Sequence, residues 1–218
     1  MLELLLPERC AVCARPGRPL CDACRSALVR LREPLCERCG SPGPWPVQRC
    51  AECAGRRLAF ARARSAVIYD ERARALVREW KERGRRRLAR EAALVVSECI
   101  TAPSVDALTF VPGDPERAWG RGDIPPRTLA RELGRLWDLP VVECLRRLNA
   151  QPRQRGLALA DRRRNVRGTV VATARARRTV CLVDDVYTSG ATADACASAL
   201  RKAGAARVEV VTLARAVR

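Results

Sequence analysis

The chain has 218 residues and a formal net charge of +18, a balance that favours polyanionic partners, although solvated arginine-rich helix faces would give it too. It contains no histidine, which excludes a histidine general base, a histidine nucleophile and any zinc site with a histidine ligand. It also contains no apolar run of 18 residues, so we expect no integral membrane segment.

Eight of the twelve cysteines form four Cys-x-x-Cys pairs near the N-terminus. The pairs are Cys10/Cys13, Cys21/Cys24, Cys36/Cys39 and Cys50/Cys53. Each pair places two thiolates on one side of a turn, where they can share a tetrahedral zinc ion at about 2.3 Å. Four pairs complete two four-cysteine sites without an open coordination position, so the spacing predicts two structural zinc ions.

The pairing of these motifs has two alternatives. Sequential pairing puts the first two pairs on one zinc and the last two on the other, which gives a double zinc ribbon, whereas interleaved pairing gives a cross-brace. We favour sequential pairing because each half has its own short loop to close. Trp45 lies in the second loop, where we expect burial; the alternative is an aromatic face presented to a nucleic-acid base.

The start of the chain contains an acidic residue, Glu3, and no basic segment, so it makes a poor signal peptide. We therefore expect a cytoplasmic protein, in which disulfides are rare and paired cysteines more often bind metal. We assign residues 1–58 to the zinc-ribbon module and residues 59–218 to a second domain.

Helices and strands alternate in the second domain, as in an α/β protein with a mostly parallel sheet. The hydrophobic patterns predict, in chain order, a strand at 66–69, helices at 71–81 and 86–100, a strand at 105–112, a helix beginning at Pro125, strands at 139–144, 169–173 and 180–183, a helix to about residue 203 and a strand at 208–213. A short helix at 25–31 is predicted inside the zinc-ribbon module.

Two polar stretches separate these elements. Residues 113–122 carry glycines and arginines after a strand, a position that suits pyrophosphate binding. Residues 149–168 have no apolar periodicity and carry six arginines between positions 153 and 167. Such a long polar loop is usually functional, and we expect it to close over a pyrophosphate or to follow a nucleic-acid backbone.

The segment from Val180 to Thr192 holds the most specific motif of the chain. Four apolar residues predict a strand buried on both faces, and Asp184 and Asp185 follow at its carboxyl end. A polar loop then enters a helix and consists of Thr188, Ser189, Gly190, Ala191 and Thr192. Backbone N–H groups and the helix dipole suit a phosphate there, while the paired carboxylates suit ribose hydroxyls or a hydrated Mg²⁺. The alternative is an ordinary βα turn with an acidic cap.

This segment resembles, over its whole length, the 13-residue phosphoribosyl pyrophosphate (PRPP) signature of the type I phosphoribosyltransferases. The resemblance implies that Asp184 and Asp185 are the catalytic pair and bind the ribose hydroxyls of PRPP, with Mg²⁺ as a cofactor. It also implies that the loop from Thr188 to Thr192 holds the 5′-phosphate.

The order of parts along the whole chain resembles the ComF family of competence-associated proteins. Apart from the cysteine pairs and the PRPP signature, the resemblance rests on Lys81-Glu82-Arg83-Gly84 and on the block from Gln154 to Gly168. It implies a type I phosphoribosyltransferase fold, in which helices flank a mostly parallel sheet, behind a small double zinc ribbon with cysteine ligands only. It also implies a role in DNA uptake and natural transformation, with other competence proteins as partners.

One block departs from the family pattern. Where the family has Arg-Gly-Phe-Asn-Gln after the basic loop, this chain reads Arg121-Gly122-Asp123-Ile124-Pro125. The resemblance places this block near the pyrophosphate or acceptor side of the site. The PRPP half of the site is therefore expected to be intact, and the acceptor half is expected to have diverged.

Two functions are compatible with these patterns. A phosphoribosyltransferase would transfer the phosphoribosyl group of Mg²⁺–PRPP to an unidentified acceptor by positioning and charge stabilisation, which need no histidine. A non-catalytic adaptor would bind PRPP, a nucleotide or a DNA 5′-phosphate without turnover, while the zinc ribbons and arginine-rich loops bind single-stranded DNA. PRPP binding tests the first function, and DNA binding across salt concentrations tests the second.

Overall fold

The computed structural model describes residues 8–113, 124–148 and 169–217. Most of the predicted pyrophosphate loop, the first three residues of the divergent block and the block from Gln154 to Gly168 lie outside the described residues. The helices are α1 (Asp22–Ser26), α2 (Glu71–Arg83), α3 (Leu88–Cys99), α4 (Pro125–Trp137) and α5 (Ala191–Lys202). The strands are β1 (Arg62–Ile68), β2 (Ala107–Phe110), β3 (Leu145–Arg147), β4 (Val170–Ala172), β5 (Thr179–Tyr187) and β6 (Arg207–Arg215).

A four-stranded parallel sheet forms the centre of the second domain, with the strand order β1-β6-β5-β2. The run from Val180 to Val183 lies in β5 and is fully buried, because apolar clusters cover both faces of the sheet. Helices α2, α3 and α4 cover one face, and α5 covers the other. This arrangement, preceded by two groups of four cysteines, confirms the predicted fold class.

Helix α2 is defined by local sequence at both ends. Asp70 caps its first turn by accepting a backbone N–H at 2.9 Å, and Gly84 ends it in the left-handed conformation at φ 62°. Leu76 and Trp80 bury its apolar face. Capping and burial together fix the last turn of α2, whose Lys81 reaches β5.

The edge of the sheet beside β2 differs from the prediction. The strand predicted at 139–144 is reduced to one parallel bridge between Val141 and Leu108. Strand β3 begins only at Leu145, and it pairs antiparallel with β4 in a separate two-stranded sheet. The chain therefore leaves the main sheet sooner than the apolar pattern indicates, because the residues that follow form β3 and pair with β4 instead.

The zinc-ribbon module also differs from its prediction at two points. The helix predicted at 25–31 is wrong: α1 ends earlier, and residues 29–31 run extended beside β1. The N–H of Ile68 donates to the Val29 carbonyl at 2.8 Å, so pairing with the sheet edge overrides the local helix pattern. Trp45 is 66% exposed, so the expectation that it is buried is wrong as well.

Both buried clusters contain side chains from the zinc-ribbon module. Leu20 and Leu28 pack in the cluster with α2 and α3, and Cys36 and Cys53 pack in the cluster with α5. The division of the chain after residue 58 stays a prediction. None of the helices in the described part of the chain has the length and apolarity needed to cross a membrane.

Candidate functional site

Strand β5 carries the acidic pair in its second half. The strand is longer than predicted, since it runs through Asp184 and Asp185 to Tyr187 and pairs with β6 along its length. Each carboxylate accepts the backbone N–H of the next residue, at 2.9 Å for Asp184 and 2.7 Å for Asp185. The sheet therefore fixes the backbone of both acids, and short local hydrogen bonds orient their side chains.

Lys81, on the last turn of α2, forms an ion pair with the second acid. Its ammonium contacts Asp185 Oδ2, and the side chain of Asp185 is only 4% exposed, whereas that of Lys81 is 41% exposed. The cation therefore reaches a buried carboxylate from the solvent side. The sequence hints at this residue only through the Lys-x-Arg-Gly block, because a contact between distant elements leaves no local pattern.

The first acid, Asp184, is half-buried beside Asp185 on β5. Burial raises the pKa of Asp184 to about 6, although Lys81 and Arg147 favour its ionised form. Arg147 ends β3, so the small two-stranded sheet brings this cation to the site. At neutral pH Asp184 is mostly ionised, although burial makes its charged form less favourable. A bound cation or a hydroxyl donor would stabilise this charged form.

The loop after β5 is built around a glycine that tolerates no side chain. Gly190 has φ 71°, and a Cβ atom there would collide with the hydroxyl oxygen of Tyr187. Helix α5 begins at the next residue, so the N–H groups of its first turn lie at the loop, where that of Ala191 donates to Ser189 Oγ at 3.4 Å. Of the other predicted loop residues one is exposed and three are half-buried: Thr188, then Ser189, Ala191 and Thr192. The loop is therefore accessible to an anion from solvent.

Two arginines from outside the motif contact the loop and the strand before it. Arg56 Nη1 donates to the carbonyl oxygen of Ser189 at 3.1 Å. The guanidinium carbon of Arg215 lies 4.6 Å from the ring centroid of Tyr187. Burial raises the pKa of Tyr187 well above its ordinary value, so the phenol stays protonated. Sequence reasoning missed both arginines, since neither lies near the motif in the chain.

The eight N-terminal cysteines form two separate groups, Cys10/Cys13/Cys21/Cys24 and Cys36/Cys39/Cys50/Cys53, which we call the first and the second cysteine centre. Within each centre all four sulfurs lie within 4.8 Å of one another. The sulfur–sulfur distances include 3.7 Å for Cys13–Cys21 and 3.5 Å for Cys39–Cys50. A zinc ion with four bonds of about 2.3 Å requires sulfurs about 3.8 Å apart, so both centres fit. Sequential pairing is confirmed, and the cross-brace is excluded.

Backbone hydrogen bonds stabilise thiolates in both centres. Cys10 Sγ accepts the N–H groups of Val12 and Cys21, both at 3.5 Å, and Cys36 Sγ accepts that of Cys50 at 3.3 Å. Burial alone would raise the pKa of Cys10, but N–H donors lower it to about 6, and they lower the pKa of Cys36 to about 7. Each centre thus offers a thiolate to a metal at neutral pH.

The chain is similar to known proteins over nearly its whole length. Residues 1–55 match a family model described as a double zinc ribbon domain. The chain is 30% identical over 209 residues to competence protein F of Haemophilus influenzae, covering 90% of each protein. It is also 30% identical over 228 residues to DNA utilization protein YhgH of Salmonella typhi, covering 97% of this chain and 99% of that one. A solved structure of a purine phosphoribosyltransferase from Pyrococcus horikoshii Ot3 aligns with a TM-score of 0.34 and 20% identity, over 59% of this chain and 72% of that one.

Proposed function

Because this chain belongs to the ComF family of competence and DNA utilization proteins, we propose that it binds PRPP or a related phosphorylated ribose, together with Mg²⁺, at the end of β5. One observation carries the proposal. Two carboxylates on β5, a loop with a left-handed glycine and the N-terminus of α5 follow one another directly in the chain and in space. We further propose that this binding serves the uptake or use of DNA in the cytoplasm.

Each part of the arrangement has a role in the proposed binding. The backbone N–H groups of the loop from Thr188 to Thr192 receive the 5′-phosphate, and Gly190 lets the backbone approach it. Asp184 and Asp185 accept the ribose hydroxyls. Their negative charge also suits the Mg²⁺ that accompanies a pyrophosphate, and this ion supplies charge neutralisation when it is bound.

In the proposed binding, Lys81 has one partner in the free protein and another in the bound protein. In the free protein its ammonium balances the charge of Asp185. When ligand hydroxyls or a metal ion bind the Asp185 carboxylate, the partly exposed ammonium is free to contact an anionic oxygen of the ligand. Lysine binds phosphate in this way, as a point charge. Lys81 therefore limits the cost of burying Asp185 without a ligand and adds to affinity once the ligand arrives.

The start of α4 favours ligand binding without transfer of the phosphoribosyl group to an acceptor. Ile124 precedes the helix, makes no side-chain capping hydrogen bond, and is followed by Pro125 at the first position. A Cβ atom on Gly113 would lie 3.0 Å from Ile124 Cγ1, so the isoleucine packs close to this glycine. An apolar side chain here cannot hydrogen-bond a pyrophosphate oxygen or an acceptor, in contrast to the amide pair of the family pattern.

Calorimetric titration of the zinc-loaded protein with Mg²⁺–PRPP tests the proposal. We expect one binding site per chain, and at least about tenfold weaker binding after Asp184→Asn/Asp185→Asn, because charge-assisted hydrogen bonds are lost. The control is Asp22→Asn, which removes a carboxylate that is 77% exposed on α1. Absence of Mg²⁺–PRPP binding to the wild-type protein would refute the proposal. Release of pyrophosphate with a candidate acceptor would establish the transferase instead.

A second candidate function, binding of single-stranded DNA, is favoured by two surface features. Trp45 is exposed in the loop of the second cysteine centre, where an aromatic ring can stack on a base. A groove of about 1040 Å³ between the first cysteine centre and the end of α2 is lined by more cations than acids. Its charged residues are Arg9, Arg78, Arg83, Arg85 and Arg87, with Glu8 and Glu79. Such a groove can follow a phosphate backbone.

Fluorescence anisotropy with labelled single-stranded DNA across salt concentrations tests this candidate. We expect Arg83→Gln to lower the slope of log K against log salt by about 0.7, because one phosphate contact is lost. Trp45→Ala should weaken binding by about 1–3 kcal/mol and leave the slope unchanged. Arg18→Gln is the matched control, since Arg18 is exposed and pairs with Asp22 on α1, outside the groove. An unchanged slope in Arg83→Gln, or an equal loss in Arg18→Gln, would contradict the groove.

A further inference from the structure

Arg215 is a fully buried cation between the second cysteine centre and the end of β5. Its Nη1 donates to the Cys39 carbonyl at 2.7 Å, and its Nη2 lies 3.5 Å from Cys39 Sγ. The same Nη2 donates to Glu52 at 2.6 Å. A buried guanidinium needs such partners, since an unpaired charge in the interior is strongly destabilising. The position of Arg215 therefore depends on the shape of the second cysteine centre.

The same guanidinium positions the residue that defines the loop. Its carbon lies 4.6 Å from the ring centroid of Tyr187, and Phe60 meets that ring edge-on at 6.4 Å between centroids. The hydroxyl of Tyr187 in turn occupies the space that a side chain at position 190 would need. A displacement of Arg215 would thus be transmitted through Tyr187 to Gly190.

A second connection runs from the last cysteine pair to the loop backbone. Glu52 lies between Cys50 and Cys53, and its carbonyl accepts a hydrogen bond from Arg56 Nη1 at 3.4 Å. The same Nη1 donates to the Ser189 carbonyl at 3.1 Å. Glu52 therefore contacts both arginines, through its carboxylate and its carbonyl. Closure of the last cysteine pair around a metal fixes both connections together.

From these contacts we infer that Arg215 and Arg56 are positioning residues through which the second cysteine centre sets the conformation of the phosphate-binding loop. The inference rests on the proposed function in that it assigns a purpose to this coupling. With zinc in the second centre, Tyr187 and Ser189 are held and the loop is ready for a ligand. Without it, Cys39 and Glu52 lose their fixed positions, and the loop loses its supports.

The first cysteine centre is a built-in control. It packs against α2 and α3, on the cluster that covers the other face of the sheet. Within residues 8–113, 124–148 and 169–217, no hydrogen bond joins its four cysteines to the loop. Coupling is reciprocal, so a ligand that needs the ordered loop must strengthen zinc binding at the second centre and leave the first unchanged.

Equilibrium competition for zinc with a chromophoric chelator measures this reciprocity in the full chain. We expect two zinc-binding steps, one per centre, with the first-centre step identified by its loss in Cys21→Ser. Saturating Mg²⁺–PRPP should raise the zinc affinity of the second centre by about fivefold or more and leave that of the first unchanged. An equal rise in both affinities, or a rise in neither while PRPP binds by calorimetry, overturns the inference.

Hydrogen exchange of the peptide covering residues 187–192 tests the same coupling without any ligand. Removal of the second zinc, or Arg56→Gln, should raise its exchange rate by about fivefold or more, and Arg56→Lys should restore part of the protection because a donor is kept. Arg57→Gln is the control, since this next residue in the chain is exposed. If loss of zinc unfolds the chain, Arg56→Gln decides: unchanged exchange in that variant overturns the inference. Absence of PRPP binding with normal coupling in exchange would overturn the proposed function alone.

Discussion

The two cysteine centres share a motif and differ in their surroundings. In the first centre Cys13 is exposed, and the centre packs against α2 and α3. In the second centre Cys36, Cys39 and Cys53 are buried, and Arg215 joins Cys39 to the end of β5. The same metal-binding motif can therefore have two roles in one chain. The first centre packs the N-terminal module against the helices. The second centre also contacts the residues that support the loop from Thr188 to Thr192.

The largest expected effect comes from comparing one ion-paired arginine in each region. Arg215→Met should destabilise the zinc-loaded protein by about 3 kcal/mol or more, because Glu52 and Cys39 lose a fully buried partner. The counterpart near the first centre is Arg25→Met, which should cost less, about 1–2 kcal/mol, since Arg25 is 17% exposed and its nearer partner Glu98 is 48% exposed, while the buried Glu91 lies 3.6 Å away. Urea unfolding of both variants measures the difference. An equal loss in the free energy of unfolding for both variants would contradict the difference between the two regions.

Two left-handed glycines give the next comparison. Gly190→Ala should cost about 3 kcal/mol, because backbone strain adds to a clash with Tyr187, and it should abolish phosphate binding. Gly84→Ala at the end of α2 should cost only about 1–2 kcal/mol, since no atom lies within 4 Å of its added Cβ. Thermal unfolding and PRPP titration of both variants provide the measurement. Normal PRPP affinity in Gly190→Ala would refute the role given to the loop.

The smallest expected effect is a gain in stability. The pKa of Asp184 is raised to about 6 in the folded protein, so folding favours its neutral form, and stability falls as the pH rises from about 4 to about 6. A rise in pKa from about 4 to about 6 corresponds to a loss of about 3 kcal/mol at pH 7. Asp184→Asn removes this loss, but the NH₂ group of the asparagine must then find a hydrogen-bond partner, so we expect a net gain of about 1 kcal/mol together with weaker PRPP binding. Asp22→Asn, near the first centre, should change neither property. Urea unfolding at pH 4 and pH 7 checks the sign, and a destabilised variant at pH 7 would contradict it.

The parts of the site that the sequence predicted are those that neighbour one another in the chain. The acidic pair and the loop up to Thr192 form one continuous segment, and the cysteine pairs close over short loops. A strand, a turn and a helix start each have a local pattern, so their order could be predicted without knowing the rest of the fold.

The supporting residues could not be predicted, because their contacts are far apart in the chain. Arg56 and Ser189 are separated by 133 positions, and Arg215 and Cys39 by 176. The errors in secondary structure have a related cause. Residues 29–31 extend because β1 offers a free edge, and the chain leaves the main sheet after Val141 because β4 offers a partner. Neither partner is visible in the local sequence.

A crystal structure of the zinc-loaded chain with Mg²⁺–PRPP shows directly where the ligand binds. We predict the 5′-phosphate within hydrogen-bond distance of the backbone N–H groups between Thr188 and Thr192, and the ribose hydroxyls on Asp184 and Asp185. We also predict that the ammonium of Lys81 no longer contacts Asp185. A ligand bound elsewhere, for example in the arginine-lined groove, with the contact between Lys81 and Asp185 intact, would contradict the proposed binding mode.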